Sequence, residues 1–143
     1  MIQSRRSFSA PRSRLGWRIR GWTVRRGSYQ VWFHWTGEQF VIGSPARAPK
    51  LKALAANPHV ALTIDDHTEW PHRVLMVRGT AEVEMLDDVV PEYALSAVRY
   101  FGPEQGPAWV STLRGKPMAR IAITPAWVGI LDFNTRFPSA MTA

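Results

Sequence analysis

The chain contains no cysteine. That excludes disulfides, thiolate metal ligands and a cysteine nucleophile, and it agrees with a reducing compartment, so a cytoplasmic location is the expectation. No apolar run approaches the roughly 18 residues of a membrane span, and no charged-then-apolar leader opens the sequence. Gly-x-Gly-x-x-Gly and Walker loops are absent, which removes the usual dinucleotide and P-loop phosphate cradles. So are Gly-x-Ser-x-Gly and Ser-x-x-Lys, which leaves hydrolase chemistry unsupported. The histidines, 34, 59, 67 and 72, never reach His-x-x-x-His spacing, so no metal is expected. The pairs Asp65-Asp66 and Asp87-Asp88 read as a turn and a helix start rather than as an acid/base couple.

Acidic residues are missing from one region only. Residues 1–28 hold eight arginines (5, 6, 12, 14, 18, 20, 25 and 26) and no Asp or Glu. The remaining residues carry ten basic and eleven acidic side chains, a net charge of −1, so the formal +7 of the chain belongs to its first fifth. An Arg-rich arm of this kind fits salt-dependent binding to nucleic acid or an anionic membrane. It equally fits a solvated tail, and the expectation is the tail, with neither nucleic acid nor membrane as partner. Residues 1–14 have no hydrophobic periodicity and are expected to be disordered.

What is present fits one domain with a real core: 143 residues, 45% of them apolar. Trp17 and Ile19 alternate with arginines as a short strand would. Val31, Phe33 and Trp35 alternate with Trp32 and His34, a turn falls at Thr36-Gly37, and Phe40 and Ile42 return, which predicts a β-hairpin. Leu51, Leu54 and Ala55 give the stripe of a helix over residues 49–57, closed by Asn57-Pro58. A strand follows over 59–65, then a long one over 73–85, with Leu75, Val77, Ala81, Val83 and Met85 on its buried face. Gly79 stands where that strand's other face turns from apolar to polar, the place for a bend or bulge. A helix starts at Pro91 with Leu95, Val98 and Phe101 as its buried stripe and ends at Gly102-Pro103. A short helix over 107–113 and strands over 118–124 and 127–133, broken at Pro125, complete the pattern. Five or six unevenly connected strands with three short helices predict a mainly β (α+β) barrel-type fold and exclude a doubly wound parallel sheet.

The segment that points to chemistry is QFVIGSPARAPKLKALAANPHVALTID, residues 39–65. A strand runs into a loop bearing Ser44 and Arg47, then into a helix opened by Pro49 and Lys50. Backbone N–H groups at a helix start, with a cation beside them, suit a phosphate. The same lysine also reads as a solvated helix-surface residue. Seven tryptophans read mainly as core or interface anchors, with Trp32 the first choice, among Trp35, Trp70, Trp109 and Trp127, to border a planar ligand.

Four pieces, VWFHWTGEQFVIGS (31–44), KLKALAANPHVALTID (50–65), VLMVRGTAEV (74–83) and ARIAITPAWV (119–128), resemble in order the pyridoxamine 5′-phosphate oxidase-like split β-barrel family and its deazaflavin-using relatives. The resemblance covers about residues 31–138. It implies a split barrel of about six antiparallel strands with short flanking helices over 29–138, an atypical N-terminal segment over 1–28 and a tail over 139–143. It also implies a homodimer with cofactor sites at the subunit interface. Ser44 and Lys50 would meet the phosphate of FMN, or of the deazaflavin coenzyme F420, with Gly43, Arg47 and Lys52 nearby. Val31, Trp32 and Phe33 would lie along the ring. The implied activity is hydride transfer between the cofactor and a small molecule, with a non-catalytic flavin carrier or sensor as the alternative. The family's usual start has a Gly-x-Pro turn, whereas WRIRGWTVRRGSYQ lacks proline after Gly27, which sets residues 1–28 apart.

Overall fold

The computed structural model describes residues 14–19, 27–66 and 70–135. The expectations for residues 1–13, for His67 and for a tail at 139–143 lie outside these.

Seven strands and three helices follow in the order β1 (Arg14–Ile19), β2 (Gly27–Gln30), β3 (His34–Trp35), β4 (Phe40–Pro45), α1 (Pro49–Ala56), β5 (His59–Asp66), β6 (Arg73–Leu86), α2 (Pro91–Phe101), α3 (Gln105–Ser111) and β7 (Met118–Asp132). The strands form one sheet, β2-β1-β5-β6-β7-β4-β3, and every neighbouring pair is antiparallel. The fold is mainly β, as predicted. The two outer strands, β2 and β3, are joined by residues 31–33 alone, a span of at most about 14 Å. The sheet must therefore curl until its edges approach, although no ladder closes them.

Two cores lie on opposite faces of the sheet. Phe40, Ile42, Val60, Leu62, Val77, Ala81, Ile121 and Ile123 pack under Leu54 of α1 together with Phe33. Across the sheet, Val41, Met118 and Ala122 meet Val90, Ala97 and Val110 of the α2–α3 region. Helix α1 ends as the sequence predicts: Asn57 N–H donates to the Ala53 carbonyl at 2.9 Å, and the Asn57 side chain accepts from His59 N–H at 3.0 Å. The bend at Gly79 is also present, as a register shift between Arg78 and Gly79. Arg78 pairs with Trp127 and Gly79 with Pro125, so Ala126 is the extra residue of a bulge. Strands expected to be separate at Pro125 are therefore one strand, β7. It pairs β4 only over residues 118–123, which leaves its second half paired to β6 alone.

Three expectations are corrected. Residues 31–33 are not strand, because two successive side chains there are drawn into opposite cores. Val31 and Phe33 go to the α1 side and Trp32 to the α2 side. On α2 the buried residues are Ser96 and Ala97, while Leu95, Val98 and Phe101 are 55%, 39% and 45% exposed. Small residues win that face because the backbones come close. A Cβ at Gly106 would stand 2.7 Å from the Ala97 carbonyl oxygen, and one at Gly43 2.7 Å from Tyr93 Cβ. On β6, Val83 and Met85 are 41% and 53% exposed, because the sheet runs beyond the cover α1 provides. No described helix is long and apolar enough to cross a membrane.

Candidate functional site

Strand β4 delivers Ser44 to one corner of the sheet. Phe40, Ile42 and Ser44 alternate onto the α1 face, and Ser44 is 1% exposed. Its hydroxyl lies 3.5 Å from the Pro45 carbonyl oxygen, at the limit of a hydrogen bond. The chain then turns tightly, Ala48 N–H donating to the Pro45 carbonyl at 3.1 Å, and enters α1 with Pro49 in its first turn. The N-cap, Ala48, offers no side-chain acceptor, and the first turn holds no acid. The partial positive charge of this helix start is thus not neutralised from within its own turn.

Lys50 stands in that first turn and is half-buried. Burial pushes its ammonium pKa below the ordinary lysine value, since desolvation disfavours the charged form. A nearby anion would reverse that effect. Lys52, two positions on, is rotated by about 200° around the helix and is exposed. Lys50 and Lys52 therefore cannot both face one small ligand, and burial singles out Lys50. Arg47 is exposed in the turn between β4 and α1.

The floor beside this corner is a feature sequence reading missed. Pairing places Ser44, Ala119 and Met85 in one row across β4, β7 and β6, and Ile42, Ile121 and Val83 in the next. Directly paired residues share a face. The exposed side chains of Met85 and Val83 consequently extend the α1-side face outward from the row of Ser44. An anion-attracting corner adjoins an uncovered apolar surface, the arrangement a ligand with a charged tail and a planar apolar head requires. The signal was available in β6, whose apolar alternation outlasts the reach of an eight-residue helix.

The segment 31–33 is held from the other side. Trp32 stacks on Tyr93 and Tyr100, both with centroids at 5.4 Å, and meets Phe101 edge-on at 4.6 Å. Arg99 donates to the Phe33 carbonyl, and its guanidinium lies 4.4 Å from the Phe33 ring centroid. Trp109 Nε1 donates to the Tyr93 hydroxyl at 2.9 Å. The structure brings Trp32 to α2 and Ser44 and Lys50 to α1. Gly43 sits between the two, its missing side chain giving room to Tyr93 and Met118.

One ion pair was also missed. Arg120 Nε and Nη2 donate to Glu92 Oε1 at 3.0 and 2.5 Å, tying β7 to the first turn of α2. The Arg120 guanidinium holds the Glu92 carboxyl below its usual pKa, and the guanidinium's own pKa is raised. A depressed carboxylate stabilises the fold above its unfolded pKa, and that stability is lost as pH falls through the folded pKa. Glu92→Ala is expected to cost about 1.5–3 kcal/mol at neutral pH. The difference from wild type should disappear below the carboxylate range in urea unfolding followed against pH. Among the described residues no cluster of three or more His, Asp or Glu could hold a metal.

No family model and no curated protein matches the sequence. Solved structures do. An F420 reductase superposes with a TM-score of 0.61 at 24% identity, covering 81% of this chain and 88% of that one. A candidate pyridoxamine 5′-phosphate oxidase from Listeria innocua gives 0.55 at 20%, covering 84% and 87%. HutZ, the heme storage protein of Vibrio cholerae, gives 0.55 at 17%, covering 84% of each. Strand order, curled sheet and flanking helices together place this chain, by fold, among the pyridoxamine 5′-phosphate oxidase-like split-barrel proteins.

Proposed function

We propose that the protein binds a flavin-type cofactor, FMN or the deazaflavin F420, and acts as an oxidoreductase on a small molecule. The observation that carries this reading is the corner formed by buried Ser44, half-buried Lys50 and the uncapped start of α1, set beside the exposed floor of Val83 and Met85. The fit is chemical: hydroxyl, ammonium and backbone donors suit a phosphate, and an apolar surface suits a ring. Ser44 and Lys50 hold the phosphate, Arg47 adds charge from the rim, and the backbone of Val31–Phe33 borders the ring. When bound, the cofactor supplies hydride transfer, so the protein needs to orient it and exclude water rather than donate an acid or base. The F420 reductase and the candidate oxidase among the similar structures support this class of ligand.

A second copy of the chain completes the site in this reading. Val83, Met85, Val128 and Ile130 are each at least 41% exposed and fall on the core-bearing α1 side of the sheet by strand register. Such a surface is characteristic of an interface rather than of a solvated face.

Titration of the purified protein with FMN and with F420, followed by tryptophan quenching, tests the class. Saturable binding of either at micromolar concentration is the expected result. Folded protein that binds neither, or that binds only heme, overturns it. Turnover of the reduced cofactor with candidate acceptors then separates an oxidoreductase from a carrier or sensor.

A further inference from the structure

The outer face of α2 has no use in the site above. Pro91, Leu95 and Val98 recur at helical spacing and are exposed, flanked by Phe101 and, from α3, by Trp109, 42% exposed. This stripe points away from the sheet, since Ser96 and Ala97 are the buried side of the helix. It is also separate from the apolar surface of Val83 and Met85, which belongs to the α1 face.

The Arg-rich start of the chain comes close to this helix. Gly16 of β1 pairs with Gln30 of β2, and two residues beyond Gln30 stands Trp32, stacked on Tyr100 and edge-on to Phe101 at the end of α2. Arg14, two residues before Gly16, is therefore at the same end of the β1–β2 pair. Residues 1–13, which carry Arg5, Arg6 and Arg12 and no acid, join the fold there. Cationic charge and an exposed apolar helix face thus converge on one side of the molecule.

We infer that this side docks on an anionic lipid surface, Leu95 and Val98 entering the headgroup boundary while the N-terminal arginines meet lipid phosphates and carboxylates. Apolar residues on one helix face with cations beside them are what interfacial binding requires. A nucleic acid would use the arginines but has no layer to accept the leucine and valine. The inference stands independently of the cofactor.

Flotation of the full chain with phosphatidylcholine vesicles, with and without phosphatidylserine, tests it. Expected is salt-sensitive partition onto the phosphatidylserine vesicles only. Each arginine near such a surface is worth roughly fivefold in partition, so Arg5, Arg6 and Arg12→Gln together should lower it by about a hundredfold. Leu95→Glu with Val98→Glu should lower it by at least about tenfold, with an unchanged unfolding midpoint because both side chains already face solvent. The inference fails if folded protein stays with the soluble fraction at low salt, or if the Glu variant partitions like wild type. It also fails if that variant changes only the oligomeric state, or if the chain binds single-stranded nucleic acid but not vesicles.

Discussion

Lys50→Ala should weaken FMN binding by about 1.5–3 kcal/mol, roughly ten- to 150-fold in Kd, if the ammonium makes a charge-assisted contact to phosphate. The stability of the cofactor-free protein should move by no more than about 1 kcal/mol. Burial disfavours the charged lysine in the fold, and alanine removes that cost along with some packing. Lys52→Ala, on the other side of α1, is the internal control and should change Kd less than about threefold, since surface charges acting at a distance are screened. Equilibrium titrations of the two variants against wild type decide the matter. An unchanged Kd for Lys50→Ala with a tenfold loss for Lys52→Ala would transfer the role to the other lysine.

Gly79→Val should cost about 3 kcal/mol of stability. The Cβ would stand 2.4 Å from the Thr124 carbonyl oxygen and 3.0 Å from Ile123 Cγ2. Backbone at the bulge of β6 and β7 cannot yield without breaking the longest strand pair in the sheet. Gly129→Ala is the contrast, because the obstacle there, at 2.4 Å, is the outer edge of the Trp127 ring, and that side chain is 46% exposed. It should cost under about 1 kcal/mol. Urea unfolding measures both. Equal effects would mean that the bulge is as compliant as a surface tryptophan.

Much of this was legible in the sequence, and the particular residues show why. Asn57-Pro58 and Pro49 bound α1 because capping and proline rules act over a few residues. Gly79 marked the bulge because its strand changes character there. The corner of Ser44 and Lys50 was readable because strand, turn and helix are contiguous. The face that α2 buries was not. Its bulky residues outnumber its small ones, yet Ala97 faces Gly106 of α3, and Tyr93 faces Gly43, a residue 50 positions earlier in the chain. Periodicity reports where apolar residues lie, not which of two apolar faces meets the core. The pairing of Glu92 with Arg120 and the row joining Ser44 to Met85 likewise depend on register between distant strands, which no local signal specifies.

The central claim is that the β4–α1 corner holds a phosphate. Its most direct test is a comparison of FMN with riboflavin, which carries the same ring and lacks the phosphate, in parallel fluorescence titrations. Loss of the phosphate contacts should weaken riboflavin by at least about 3 kcal/mol, more than a hundredfold, and Lys50→Ala should narrow that gap. Equal affinity for the two flavins, with folded protein, would contradict the account.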